Sequence, residues 1–231
     1  FEKGFFEKKH NFDVHFVGHP LLDHIPSYPK KATFHIEHKL ESKKPIIALL
    51  PGSRLQEIKK MLPLFIEVAK HFSDYQFVIA AAPGLSIESY APYIKNSSLK
   101  IIHNATYSLL QHSSAALVTS GTATLETALF DVPQLVCYRS SAFSYWIAKK
   151  IVKLNYISLV NLILDRLVVK ELIQDALNLS NLCTHLQQLL NPAEQRILKQ
   201  DYKELKSILG NGGASNKTAQ LIFTAISKDK I

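Results

Sequence analysis

Short runs of apolar residues alternate along this chain with longer stretches in which apolar positions recur every three or four residues. The runs predict buried β-strands, because they are four or five residues long and consist largely of Ile, Val, Leu and Ala. We predict such strands at residues 46–50, 77–81, 99–102, 115–118 and 134–138, and a further short one at 14–17. The stretches between them predict amphipathic helices at residues 55–72, 87–94, 107–112 and 122–130.

Strands that alternate with helices in this order predict a parallel sheet with helices on both faces, an α/β fold of the Rossmann type. Beyond residue 175 the pattern is helical throughout. We therefore predict three parts: an opening strand and connection at 1–44, a Rossmann-like domain at 45–175, and a helical carboxyl-terminal segment at 176–231 that packs on it.

Two polar turns follow the predicted strands at 46–50 and 115–118, and each leads into a helix. In an open parallel sheet, ligands bind outside the carboxyl ends of the strands. The first N–H groups of a helix favour an anion such as a phosphate. We therefore predict a phosphate or diphosphate site formed by Gly52, Ser53 and Arg54 in the first turn, and by Ser120, Gly121, Thr122 and Ala123 in the second.

Two side chains favour a nucleotide or nucleotide sugar as the ligand of this site. The guanidinium of Arg54 can form charge-assisted hydrogen bonds to a diphosphate and stabilise a phosphate leaving group. Glu126, one turn into the second helix, can accept hydrogen bonds from sugar hydroxyls. Each turn also has a structural explanation, since Arg54 can pair with Glu57 and Ser120 can cap a helix. Neither turn has the P-loop or GxGxxG spacing, which argues against ATP hydrolysis and ordinary dinucleotide binding.

The net charge of +8 favours an anionic partner. Nucleic acid is disfavoured, because the chain has no Arg-rich arm, zinc-finger spacing or basic-aromatic RNA-binding strand. No window of eighteen apolar residues and no secretory signal is visible. Cys137 and Cys183 lie in apolar runs where buried free thiols are common, so we predict a protein of the reducing cytoplasm. The chain lacks an initiator Met, which suggests a fragment. No metal-ligand pattern is present, and we predict neither a metal nor a cofactor.

The segment at 141–153 has an apolar stripe at helical spacing. Packing in the core explains the stripe most simply. Its margin combines an aromatic ring with basic side chains, a composition that suits contact with anionic lipid. The residues predicted for this contact are Trp146, Lys149, Lys150 and Lys153.

Several motifs, taken in order, resemble those of the lipid-A-disaccharide synthase family. They are Phe16–Asp23 (FVGHPLLD), Leu49–Arg54 (LLPGSR) with Glu57-Ile58, the turn from Ser120 to Glu126, and Tyr156–Leu159 (YISL) followed by Asn161 and Glu171–Gln174 (ELIQ). The resemblance extends from near the start of the chain to about Asp175. The occurrence of all these motifs in this order is far more specific to the family than any single motif.

The resemblance implies a GT-B glycosyltransferase, of which this chain is the carboxyl-terminal, donor-binding half without the amino-terminal acceptor domain. The implied reaction transfers 2,3-diacylglucosamine from UDP-2,3-diacylglucosamine to 2,3-diacylglucosamine 1-phosphate (lipid X), giving a β-1,6-linked lipid A disaccharide and UDP. By the same resemblance, Arg54, Ser120 and Thr122 meet the diphosphate and Glu126 holds the ribose. Catalytic roles fall to Arg54 and Asn161, and the cleft is lined by Asn161, Glu171 and Gln174. The chain has Val160 where the family usually has Pro.

The implied partners are the UDP-diacylglucosamine donor, the lipid X acceptor and the surface of the membrane, with the protein peripheral on the inner face of the bacterial inner membrane. A homodimer is compatible with the sequence. Since the amino-terminal half is expected to supply the catalytic base, we expect UDP binding here without efficient turnover. Two alternatives stay open: a UDP-sugar 2-epimerase, which shares the GT-B layout, and a non-catalytic nucleotide-sugar-binding module.

Overall fold

The computed structural model describes residues 2–95, 97–139 and 155–228. Within them, six strands form one sheet in which every neighbouring pair is parallel. The strands are β1 (Ile46–Leu50), β2 (Gln76–Ala81), β3 (Lys100–His103), β4 (Ser113–Thr119), β5 (Gln134–Tyr138) and β6 (Glu171–Ile173). Their order in the sheet is β3-β2-β1-β4-β5-β6. The predicted Rossmann-like parallel sheet is confirmed, because this is the order of the classical doubly wound fold.

Helices connect the strands and continue after the last one. They are α1 (Glu2–His10), α2 (Leu21–His24), α3 (Phe34–Glu37), α4 (Leu55–Ala69), α5 (Ala91–Ile94), α6 (Thr106–Gln111), α7 (Thr122–Leu129), α8 (Leu159–Leu164), α9 (Leu179–Leu189), α10 (Pro192–Leu209) and α11 (Ala214–Lys228). Single 3₁₀ turns lie at Ile87–Ser89 and Gln174–Ala176.

Both faces of the sheet are buried. On one face, Ala48, Val78 and Val118 join a core cluster that includes Leu109 and Leu110 of α6. The residues that alternate with them, such as Leu49 and Leu117, are also fully buried. This two-sided burial explains why the strands appear in the sequence as continuous apolar runs rather than as alternating ones.

Three predictions of local structure are corrected. Residues 14–17 do not form a strand; Phe16 is 60% exposed and its ring lies beside Gly210. Residues 171–173, for which we predicted no strand, form β6, because they pair with β5. The helix predicted at 87–94 is divided into a 3₁₀ turn and the short helix α5.

The described chain falls into two compact units, Phe1–Pro29 with Lys203–Ile231, and Lys30–Tyr202. The second unit contains the whole sheet. The domain boundaries predicted from the sequence, 1–44, 45–175 and 176–231, stay a prediction. None of the described helices is both long and apolar enough to cross a bilayer.

In the first unit, Asp23 caps the last helix. Its carboxylate accepts hydrogen bonds from the backbone N–H groups of Ala214 (3.2 Å) and Ser215 (3.0 Å), from Gly213, and from the Ser215 hydroxyl (2.7 Å). These bonds satisfy N–H groups at the start of α11 that would otherwise lack a partner. The hydrogen bonds from Ser215 and Gly213 hold the pKa of Asp23 well below its ordinary value of 3.8. The FVGHPLLD motif therefore has a structural function here, which is to hold the start of α11.

The contribution of Asp23 to stability should depend on pH. Because its pKa is lowered in the folded state, the stabilisation is present above pH 3.8 and is lost as the pH falls below that value towards the folded pKa. We expect Asp23→Asn to lower the Tm at pH 7 and the difference from the parent to shrink in acid. As a control, Asp13→Asn removes an exposed carboxylate of the same unit and should change the Tm little at either pH. A difference for Asp23→Asn that stays constant from pH 7 to pH 2.5 would contradict the assignment.

Candidate functional site

The order of the strands places both predicted turns at one crevice. Chain connections leave β1 and β4 towards opposite sides of the sheet, and these strands are neighbours, with Leu49 paired to Leu117 and Leu50 to Val118. In a doubly wound sheet, ligands bind where the strand order reverses, outside the carboxyl ends. The turn after β1 holds Ser53, and the turn after β4 holds Gly121. The two turns therefore border the switch point of the sheet.

The N-terminus of α4, at the first turn, is already occupied by a carboxylate. Glu57 Oε2 accepts hydrogen bonds from the backbone N–H groups of Ser53 (2.8 Å) and Arg54 (3.2 Å). Gly52 makes this possible, because its φ is +115° and a Cβ there would lie 2.6 Å from the Cβ of Glu57. The carboxylate satisfies the helix start in the way a bound anion would.

The guanidinium of Arg54 pairs with the same glutamate. Arg54 Nη1 lies 3.1 Å from Glu57 Oε1, and the Arg54 side chain is 80% exposed. The structural explanation that the sequence offered for Arg54 is therefore present in the fold. An exposed pair of this kind contributes about 0.2–1 kcal/mol, so a bound diphosphate can displace it at little cost.

The N-terminus of α7, at the second turn, has no such cap. No described side chain accepts a hydrogen bond from it, and the N–H groups of Thr122 and Ala123 have no partner within the described chain. The Thr124 hydroxyl donates to the carbonyl of Gly121 at 2.8 Å. Gly121 and Thr122 are exposed. Ser120 donates its hydroxyl to the carbonyl of Ile157 (3.0 Å). The second turn therefore has no carboxylate at the helix start, in contrast to the first turn, and is open to an anion.

Glu126 lies half-buried one turn into α7. Its Oε1 accepts a hydrogen bond from the Tyr107 hydroxyl at 3.1 Å. Burial raises the pKa of this carboxyl, and the hydrogen bond from Tyr107 opposes that shift. Hydroxyl donors from a ligand would favour the ionised form further.

Asn161 and Glu171 hold α8 against β6. Asn161 is fully buried; its Nδ2 donates to the carbonyl of Val169 (2.8 Å) and to Glu171 Oε1 (2.8 Å), and its Oδ1 accepts from the N–H groups of Val168 (2.8 Å) and Val169 (2.9 Å). Glu171 also accepts from the N–H groups at the start of α8, those of Ile157 and Ser158. Protein groups therefore fill every hydrogen-bonding position of the Asn161 side chain, and its catalytic role stays a prediction.

At the end of β6, Gln174 has a φ of +52°, an uncommon conformation for a residue other than glycine. Its carbonyl accepts a hydrogen bond from Arg139 Nη2 at 3.4 Å. Arg139 follows β5 directly and was not among the predicted site residues. The available signal was an arginine directly after a predicted strand, and Arg54 likewise lies in the turn that follows a strand.

Other predicted features lie elsewhere. The four residues predicted for lipid contact, Trp146, Lys149, Lys150 and Lys153, lie outside the described residues. Within the described ranges, no group of three or more His, Cys, Asp or Glu side chains could hold a metal ion. Two surface cavities of the second unit, of about 680 and 440 Å³, include Tyr75 just before β2 and so lie towards the amino ends of the strands.

The chain matches a family model described as lipid-A-disaccharide synthetase over residues 1–225. A lipid-A-disaccharide synthase of Persephonella marina is 34% identical over 225 residues, which are 92% of this chain and 59% of that protein. One from Hahella chejuensis is 33% identical over 234 residues, 98% of this chain and 59% of that protein. The chain thus spans about three-fifths of the length of these relatives.

Solved structures share the fold at low sequence identity. MnaA of S. aureus, solved with UDP, has a TM-score of 0.63 at 16% identity, covering 96% of this chain and 56% of that one. A UDP-N-acetylglucosamine 2-epimerase has a TM-score of 0.54 at 15% identity, covering 92% and 51%. WaaG, a glycosyltransferase of lipopolysaccharide biosynthesis, has a TM-score of 0.53 at 11% identity, covering 93% and 57%. These likenesses confirm a GT-B-like fold.

Gly52 provides a test of the first turn. We expect Gly52→Ala to lower the free energy of unfolding by about 1–3 kcal/mol, because φ becomes strained and Glu57 must leave the N-terminus of α4. Chemical denaturation would measure this loss. The control is Gly84→Ala, since nothing lies within 4 Å of a Cβ at Gly84, and it should cost no more than about 0.5 kcal/mol. Equal losses in the two variants would rule out the proposed fit between Gly52 and Glu57.

Proposed function

Because the chain belongs to the lipid-A-disaccharide synthase family, we propose that it forms the donor-binding part of a glycosyltransferase. The proposed donor is UDP-2,3-diacylglucosamine, and the proposed acceptor is 2,3-diacylglucosamine 1-phosphate. The reaction joins the two sugars through a β-1,6 bond and releases UDP. The names of the relatives support the class of reaction, whereas the particular donor and acceptor are our proposal.

The observation that carries this proposal is the uncapped N-terminus of α7 at the switch point of the sheet. Its free N–H groups and positive dipole end favour a diphosphate. Thr122 and Ala123 would donate backbone N–H groups to it. Arg54 would exchange Glu57 for a phosphate oxygen, while Glu57 keeps its hydrogen bonds to the start of α4.

The same groups would assist the transfer step. When the glycosidic bond to UDP breaks, negative charge develops on the leaving diphosphate. Donors already aimed at that position stabilise the charge without reorganisation. In this scheme Arg54 and the start of α7 stabilise the leaving group, and the chemistry assigned to this chain needs no metal.

The remaining predicted residues receive different roles. Glu126 would accept hydrogen bonds from the ribose hydroxyls, with Tyr107 holding its other oxygen. Glu171 and Gln174 would border the donor on the side of β6. Since Asn161 is fully buried, we propose that it acts by holding Glu171 and α8 in place rather than by touching the sugar.

A base must take the proton from the acceptor hydroxyl. We place this base, and the acceptor site, in the portion of the relatives that the chain does not span. Contact with the inner face of the bacterial inner membrane through Trp146, Lys149, Lys150 and Lys153, and assembly as a homodimer, also belong to the proposal.

Calorimetric titration with UDP tests the binding site on this chain alone. We expect the parent to bind UDP, and Arg54→Ala to bind it roughly tenfold more weakly, because a charge-assisted hydrogen bond is lost. Arg196→Ala is the control: it removes an exposed arginine of α10, whose neighbour Gln195 bonds near the amino end of β4. Equal affinities of the parent and Arg54→Ala would remove Arg54 from the diphosphate site.

Turnover is tested with the longest natural protein that contains this chain. Given UDP-diacylglucosamine and the monosaccharide acceptor, it should release UDP and form the disaccharide. Release of no UDP would refute the transferase assignment. Interconversion of UDP-sugar epimers would establish the epimerase alternative in its place.

A further inference from the structure

A second arginine lies at the carboxyl edge of the sheet. Arg139 follows β5 immediately and is half-buried. Its Nη2 donates hydrogen bonds to the backbone carbonyls of Gln174 (3.4 Å) and Leu177. Both partners are neutral.

No carboxylate among the described residues neutralises this cation. The acidic groups of the site have other partners: Glu57 bonds to Ser53 and Arg54, Glu126 to Tyr107, and Glu171 to the start of α8 and to Asn161. Arg139 Nε and Nη1 bond to no described residue. Because a partly buried charge is costly without a counter-charge, an arginine in this state is suited to meet an anion.

The register of the sheet places Arg139 beside the open turn. Thr119 of β4 pairs with Cys137 of β5, and Tyr138 pairs with Ile173 of β6. If the register of β4 and β5 is continued for two residues beyond the pair Thr119 and Cys137, the backbone of Arg139 lies level with that of Gly121. Adjacent strands lie about 4.8 Å apart, and the Arg139 guanidinium, held by the carbonyls of Gln174 and Leu177, lies on the β6 side of β5.

In the sheet, β4 lies between β1 and β5. Arg54 follows β1 and Arg139 follows β5, while the uncapped N-terminus of α7 follows β4 between them. The strands on both sides of β4 are therefore each followed by a segment that contains an arginine.

We propose that Arg139 is a second cationic contact for the diphosphate, on the side of the α7 N-terminus opposite Arg54. This inference rests on the proposed function, since it assumes that a nucleoside diphosphate occupies this edge. The Nη2 bonds hold the guanidinium in place, and Nε and Nη1 remain to donate to phosphate oxygens.

The test compares UDP with UMP, which lacks the second phosphate. Calorimetry on the 231-residue chain should show that the parent prefers UDP. We expect Arg139→Gln, which keeps amide donors but loses the charge, to weaken UDP binding roughly tenfold and UMP binding less, because the lost bond is charge-assisted. The salt dependence of UDP binding should also become shallower. Arg196→Gln, which alters an exposed arginine of α10, should leave both affinities unchanged.

A purely structural role predicts a different result. If Arg139 only holds the turn at Gln174 and Leu177, Arg139→Gln should lower the Tm of the free chain and weaken UDP and UMP by the same factor, which would overturn the inference. Arg139→Lys covers the case in which the glutamine variant does not fold. This variant keeps the charge and should keep most of the preference for UDP, so a folded lysine variant without that preference would also overturn the inference.

The outcomes separate this inference from the proposed function. A parent chain that does not bind UDP would refute both. A parent that prefers UDP, together with an Arg139→Gln variant that keeps the full preference, would refute only the assignment of Arg139.

Discussion

The pairing of β1 with β4 is the constraint on which the site depends. The two strands are separated by more than sixty residues, two strands and three helices along the chain, yet they are neighbours in the sheet. Their contact reverses the strand order and opens a crevice at the carboxyl edge. It also places the turns after Leu50 and Thr119 side by side. If β4 were added at the outer edge of the sheet beside β3, the two turns would lie apart and could not bind the same anion.

The two helix starts at this crevice differ in whether a carboxylate lies there. Glu57 fills the start of α4, whereas no described side chain fills the start of α7. Glu171 fills the start of α8 in the same manner as Glu57. Carboxylates thus satisfy the helix starts on either side of α7. An anion that approaches this edge meets free N–H groups at α7 and carboxylates at the neighbouring helix starts, which restricts where it can bind.

Much of the fold could be predicted from the sequence, because a long strand that is buried on both faces consists of consecutive apolar residues. The five strands β1 to β5 were predicted for this reason, and so were both turns, since their position follows from the strand ends. The strand β6 was missed because three residues carry too little pattern, and pairing with β5 determines it. The roles of Glu57 and Asn161 could not be predicted either, since they depend on a carboxylate that folds back over Gly52 and on backbone groups that converge in three dimensions. Arg139 was overlooked although its position after a strand is visible in the sequence.

The two arginines beside α7 are held in different ways, and the difference has consequences for binding in the proposed complex. Arg54 is largely exposed and pairs with one carboxylate, so releasing it costs about 0.2–1 kcal/mol, but its side chain must lose conformational freedom when it binds. Arg139 is already fixed by two carbonyls and loses less freedom for each hydrogen bond it forms. The fixed arginine therefore determines where the diphosphate lies, and the mobile one adapts to it. A site built in this way remains accessible while empty and gains its second cation only when the ligand is present.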